Sequence, residues 1–300
     1  MGLWKYALLV FIGGCSYGVV STFVKLAYDL GFSVNNVTGS QYFFGAVMLW
    51  ITTLTLRKWN RLSLKQWLIL LVSGIPMGAT GIFYNQSLQY VDASLAIILL
   101  LQLTWIGIVL QYVFERKKPS KKNLIATVII LIGSVLASNI LMNTITISWI
   151  GVGWGLLSGL SFATFIYVSG KATIPVHPIK KSAIMCTGGA LFIFIFMPPT
   201  FLTNGSLING LLPYALYFAL FGSLLPPLLF NIGMPKIGSA LGNILSASEL
   251  PTAVFMSTFV LKEQVTPFQW IGVITILIGI AYPTLRKSVL VQLKELKNNE

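Results

Sequence analysis

Apolar residues run along this chain in long unbroken stretches, with none of the short alternating apolar and polar segments that barrel strands require. Charged residues fall in clusters between them; residues 123–170 and 182–235 contain no Asp, Glu, Lys or Arg. A hydrocarbon layer of about 30 Å takes about 20 helical residues to cross, so each of these uncharged stretches holds two crossings and a turn. Stretches of crossing length fall at residues 5–28, 36–56, 66–88, 93–114, 123–141, 149–170, 181–201, 210–230, 238–261 and 267–285. The pattern predicts an all-α membrane protein with ten transmembrane helices, because helices satisfy every backbone polar group within the lipid.

Composition agrees: 56% of the 300 residues are apolar and 9% are charged. The net charge of +13 would suggest nucleic-acid binding in a soluble domain, but its distribution says otherwise. With a cytoplasmic N-terminus and ten crossings, every basic residue except Lys25 and Lys262 falls on the cytoplasmic side, notably the clusters at 57–65, 116–122, 180–181 and 286–297. The excess is thus an orientation signal with a secondary attraction to anionic headgroups, and no nucleic-acid partner is expected. It implies a multi-pass protein of the cell membrane with both termini cytoplasmic. Lys5 precedes an apolar run without a small-residue cleavage site, so that run is expected to stay as the first span. Cys15 and Cys186 sit inside apolar runs and read as packing residues.

The chain also repeats itself. Gly14-Cys15-Ser16-Tyr17-Gly18 leading to Lys25 is echoed by Gly159-Leu160-Ser161-Phe162-Ala163 leading to Lys171. Ala93-Ser94-Leu95, running to Glu115, Pro119 and the Ile129–Gly133 segment, is echoed by Ser239-Ala240-Leu241, running to Glu263, Pro267 and the Thr275–Gly279 segment. The offset stays between 145 residues (Gly14 to Gly159) and 148 (Glu115 to Glu263). Two halves of five helices each, an odd number, must insert with opposite topology: 1–145 and 146–287, followed by a cytoplasmic tail, 288–300. Such inverted repeats usually place a substrate site near the bilayer midplane.

On these residues the chain resembles the EamA-type transporters of the drug/metabolite transporter superfamily. The resembling motifs are Ser16-Tyr17-Gly18 in the first span, the Glu, Pro and Gly-terminated helix that closes each half, and Glu249-Leu250-Pro251-Thr252-Ala253 in the ninth span. The resemblance implies a ten-helix carrier. Gln102-Leu103-Thr104 stands where a proline would be usual, which implies that the first half lacks the matching helix break.

Glu249 divides the uncharged stretch between Lys236 and Lys262 into two twelves, about 18 Å of helix each at 1.5 Å per residue, which puts it at mid-membrane. A charge at that depth costs at least about 2.5–3.5 kcal/mol, so it must face a cavity, find a partner or be protonated. Two readings stand: a carboxyl that carries a coupling proton or recognises a cation, and a neutral Glu bonded to a neighbouring helix or to backbone opened by Pro251. Lys25 reads as interfacial, with Asp29 at i+4. Tyr17, Ser21, Tyr84, Asn85, Gln102, Tyr167, Asn243 and Ser246 are candidates to line a path, each also readable as interhelical glue. Gly14/Gly18, Gly74/Gly78, Gly155/Gly159 and Gly238/Gly242 permit close helix approach, and Pro76, Pro226, Pro227 and Pro251 are expected to break or bend helices.

Enzyme chemistry finds no purchase. His177 is the only histidine, so neither a histidine metal site nor a Ser-His pair inside the membrane can be built, and no phosphate loop is present. No catalytic residue, metal or cofactor is expected. The expected function is secondary transport, the export or exchange of a small amphipathic metabolite such as an amino acid, with the lipid bilayer and a coupling proton as further partners. Lipophilic-cation or drug efflux and a non-carrier channel are the alternatives, and oligomeric state is left open.

Overall fold

The computed structural model describes residues 2–57, 61–91, 93–138, 148–171, 174–262 and 264–297. The expected boundary at 145/146 and the residues Lys58, Asp92 and Glu263 lie outside them. The helices are α1 (Leu3–Asp29), α2 (Val34–Thr55), α3 (Leu64–Leu88), α4 (Ala93–Leu101), α5 (Leu103–Glu115), α6 (Lys121–Ala137), α7 (Trp149–Lys171), α8 (Pro178–Phe196), α9 (Leu212–Phe218), α10 (Leu225–Ile237), α11 (Ser239–Ser246), α12 (Glu249–Val260) and α13 (Pro267–Lys297). There is no strand among the described residues. Among the described residues six segments are long and apolar enough to cross a membrane: Leu3–Asp29, Leu64–Leu88, Leu95–Glu115, Trp149–Lys171, Pro178–Phe196 and Leu207–Ile237.

Local chemistry sets the helix ends. Ser63 and Gln66 form a reciprocal capping box at the start of α3, the Ser63 hydroxyl accepting from the Gln66 N–H at 3.3 Å and the Gln66 amide oxygen from the Ser63 N–H at 2.9 Å. His177 caps α8, its Nδ1 accepting from the Ile179 N–H at 3.4 Å, with Pro178 pre-set for the first turn.

The prolines act unequally. Pro76, expected to break its helix, lies inside an unbroken α3. Pro226 and Pro227 follow a wide π turn at Ala219–Leu224, whose Leu225 N–H reaches back to the Leu220 carbonyl. Pro226, five residues on from Phe221, has no N–H to continue that pattern. The Ser16 hydroxyl of α1 donates to the Phe221 carbonyl instead, at 2.6 Å.

Two further expectations are corrected. The span over 93–114 was expected to run without a break, yet it turns at Gln102, where the Gln102 N–H bonds to Leu99 three residues back. No proline is needed, because the Gln102 side chain donates to the Ile98 carbonyl (3.0 Å) and accepts from the Trp105 indole N–H (2.8 Å). Gly238 does not form a packing pair with Gly242: with φ of +84° it makes the turn from α10 into α11.

Helices of the two halves interleave. α1 packs chiefly on α10 and α12, α3 on α7 and α8, and α6 on α13. At the α3–α8 crossing the backbones touch: a Cβ on Gly74 would strike the Met185 carbonyl, and one on Gly188 the Leu71 carbonyl. Buried polar residues are mostly Ser, Thr and Asn, whereas large apolar side chains such as Val72, Ile195 and Phe259 face outward. Outward apolar and inward small polar groups suit a lipid surround. Lys180 and Lys181 are buried at the start of α8: Lys181 Nζ donates to the Ser169 carbonyl at 2.8 Å, and Lys180 lies 5.8 Å from the Trp67 ring centroid.

Gly74→Ala should cost about 1–3 kcal/mol of overpacking. Gly153→Ala, whose Cβ meets nothing within 4 Å, should be neutral or slightly stabilising. Melting of the purified protein followed by intrinsic fluorescence checks the contrast.

Candidate functional site

A cavity of about 730 Å³ lies among α1, α2, α3, α7 and α12, the size of a small-molecule site. One stripe of α1, Tyr17, Ser21, Lys25 and Tyr28, forms its long wall; the eleven helical steps from 17 to 28 make it about 16 Å deep. Thr38, Gln41 and Tyr42 of α2, Thr80, Tyr84 and Asn85 of α3, Phe162 and Phe165 of α7, and Glu249 and Ser257 of α12 complete it.

The floor is built by a helix break. Pro251 has no N–H for the Ala247 carbonyl, which instead accepts from Leu250 at 3.4 Å. The Ala247 and Ser248 N–H groups likewise bond three residues back. This tight turn separates α11 from α12 and puts Glu249 first in α12. α1 is seated against the break: the Ser248 hydroxyl donates to the Phe11 carbonyl at 2.8 Å, and a Cβ on Gly18 would strike the Glu249 carbonyl. Tyr17, one residue earlier, stands edge-on to Phe162 with centroids 5.4 Å apart. Tyr17 and Tyr84 line the same cavity as Glu249.

Hydrogen bonding sorts the lining groups. Asn85 donates to the Thr38 hydroxyl (2.6 Å) and accepts from the Tyr28 hydroxyl (3.4 Å), bolting α1, α2 and α3 together. The Ser21 hydroxyl donates to the Gly18 carbonyl (2.8 Å), and the Tyr42 hydroxyl to the Met77 carbonyl (2.7 Å). The Glu249 carboxyl and the Tyr17 and Tyr84 hydroxyls have no hydrogen-bond partner among the described residues.

The model of the EamA-like transporter family matches residues 4–139 and again 149–284. The chain belongs to that family. It is therefore a multi-pass membrane transporter of the drug/metabolite superfamily. A solved crystal structure of a protein is similar to this EamA-like chain with a TM-score of 0.77 at 13% identity, covering 95% of this chain and 98% of that one, a likeness of fold alone. No curated protein matches it as a relative.

In this EamA-like chain Tyr17, Ser21, Tyr84, Asn85 and Glu249 come together in the cavity, whereas Gln102, Tyr167, Asn243 and Ser246 do not line it. Gln102 is bonded to Ile98 of α4 and Trp105 of α5 across their turn. Tyr167 packs on Phe114 (5.6 Å), near Glu115, which accepts from Lys171 at 3.0 Å and Lys117 at 3.2 Å. Asn243 and Ser246 are fully buried beyond the floor, and the Asn243 amide fills the space a Cβ on Gly107 would take. Its Oδ1 has no donor. Lys25, read as interfacial, lines the cavity at the end away from Glu249.

Sequence reasoning passed over Thr38, Gln41, Tyr42, Thr80, Phe162 and Phe165. Polar and aromatic residues at i, i+3 and i+4 along α2, and at i and i+4 from Thr80 to Tyr84, were the available signal. Phe162 and Phe165 carry none, since apolar residues line walls and fill cores alike. Among the described residues no group of three or more His, Cys, Asp and Glu could hold a metal.

Asn85→Ala should lower stability by about 1–3 kcal/mol, because it strands the Thr38 and Tyr28 hydroxyls. Tyr84→Phe, which removes a hydroxyl with no protein partner, should leave melting within about 0.5 kcal/mol of wild type.

Proposed function

We propose that the chain is a secondary active carrier of the cell membrane that exports or exchanges a small amphipathic metabolite such as an amino acid by alternating access. In this reading ten helices cross the bilayer as two inverted five-helix repeats, 1–145 and 146–287, with 288–300 a cytoplasmic tail and both termini cytoplasmic. The observation that carries it is a deep, mostly apolar cavity into which polar and aromatic side chains and one carboxyl among the described residues, Glu249, are gathered. With a cytoplasmic N-terminus, the Lys25 end faces outward and the layer beyond Glu249 seals the cytoplasmic side. In this reading that layer parts at two contacts: Asn243 against Gly107, and the Glu115–Lys171 ion pair between α5 and α7. The stranded Asn243 Oδ1 supports a second arrangement in which this layer parts and the amide meets the path.

Among the described residues two charged side chains line the cavity, Lys25 near one end and Glu249 at the other, with no cluster of cations among them to neutralise a sugar phosphate or nucleotide. The aromatic floor beside Glu249 supports lipophilic-cation efflux as the second reading.

Counterflow in proteoliposomes tests the class: a carrier shows trans-stimulation, whereas a channel gives only downhill flux. Glu249→Gln should cut gradient-driven uptake about tenfold or more while exchange survives at least in part, because the amide mimics the protonated acid. Unchanged gradient-driven uptake by folded mutant protein returns Glu249 to a structural role. A cysteine at Lys117 or Lys118 should resist an impermeant thiol reagent applied to intact cells, and labelling there reverses the orientation.

A further inference from the structure

We infer that the cavity floor recognises a primary ammonium group, and that a carboxylate on the substrate is dispensable for binding. The inference rests on the transporter reading above and narrows what that transporter takes.

Three polar groups of the cavity have no hydrogen-bond partner among the described residues: the Glu249 carboxyl and the hydroxyls of Tyr17 and Tyr84. Three other lining side chains are committed elsewhere. Asn85 is bonded to Thr38 and Tyr28, Ser21 to Gly18, and Tyr42 to Met77. Together these are a carboxyl group, anionic once it gives up its proton, and two hydroxyl oxygens that each accept a hydrogen bond, in one cavity with the Phe162 ring that Tyr17 meets edge-on.

Ligand chemistries differ sharply in how they meet this set. A primary ammonium offers three N–H donors and one positive charge, one donor for each oxygen-bearing group and a counter-charge for the carboxylate. A quaternary ammonium supplies the charge and stacks on the aromatic ring but has no N–H, so both hydroxyls stay unpaired. A neutral amide or polyol can bond the hydroxyls and leaves the carboxylate uncompensated. A carboxylate end is repelled. Because buried groups left unpaired are penalised more than paired ones are rewarded, discrimination against the analogue lacking N–H donors is strong.

The same geometry orients the solute. Its ammonium enters first and its remainder points along the wall from Tyr17 towards Tyr28, a length of about 16 Å. Alkyl amines without a carboxylate therefore bind as amino acids do.

The test is the thermal stability of the purified full-length protein in nanodiscs, titrated with probes that share one alkyl chain. Butylamine to hexylamine and leucine should each raise the melting temperature in a saturable way. The N-acetyl, N-trimethyl and carboxylic-acid counterparts should bind at least about tenfold more weakly or not at all. Tyr17→Phe and Tyr84→Phe should each weaken amine binding about tenfold with the unliganded melting temperature unchanged, and Glu249→Gln should remove it. If Glu249→Gln fails to fold, the two Tyr variants still decide. Equal or tighter binding of the trimethyl series, amine binding untouched by both Tyr variants, or no shift with any primary amine overturns the inference. Amine binding without counterflow defeats the carrier reading and leaves this one standing. Counterflow of a solute with no amine does the reverse.

Discussion

Every feature of the cavity depends on how closely α1 approaches the interrupted segment between α11 and α12. A proline without an N–H loosens that segment, and in a lipid surround a loosened backbone must find its partners within the protein. That segment closes on itself through tight three-residue bonds, and α1 is seated directly on it: the Phe11 carbonyl takes the Ser248 hydroxyl, and Gly18 lets the Glu249 backbone come into contact. At the second break, ahead of α10, Ser16 donates to the carbonyl left open before Pro226. Tyr17, between Ser16 and Gly18, is free to face the cavity. The short motif Ser16-Tyr17-Gly18 thus divides into a backbone repair, a lining group and a spacer.

The same approach explains why one acid can sit deep in an apolar chain. Glu249 begins a helix just after a tight turn, and it opens onto a cavity instead of lipid. Asn85 holds the facing wall by tying α2 and α3 to the end of α1. Rigid bolts and uncommitted groups therefore alternate around the cavity, and the latter gather at its closed end.

Much of this was legible in the sequence. Uncharged stretches marked the helices, because lipid leaves few alternatives, and Glu249 stood out as the lone acid of its stretch. Pro251 announced the break beside it. Gln102 did not announce its turn, since a side chain that bonds its own backbone carries no signature of its own. Pro76 looked like a break, yet α3 continues through it. Whether Asn243 or Tyr84 faces the cavity depends on which helix each meets, and those neighbours lie in the other half of the chain. Hydropathy gives the rods; only their pairing says which polar residue is committed and which is left over.

That interleaving has a consequence for biogenesis. The hydroxyl that Phe11 receives comes from Ser248, 237 residues later, and the carbonyl that Ser16 satisfies lies 205 residues on. A ribosome releases the chain from its N-terminus, so α1 enters the bilayer long before its main partners exist. During synthesis its glycine seam and Ser16 have only lipid, α2 and α3 beside them. Closing contacts over such separations is slow. The first half is thus an obligate waiting state, and its assembly ends only when the ninth apolar stretch has been made.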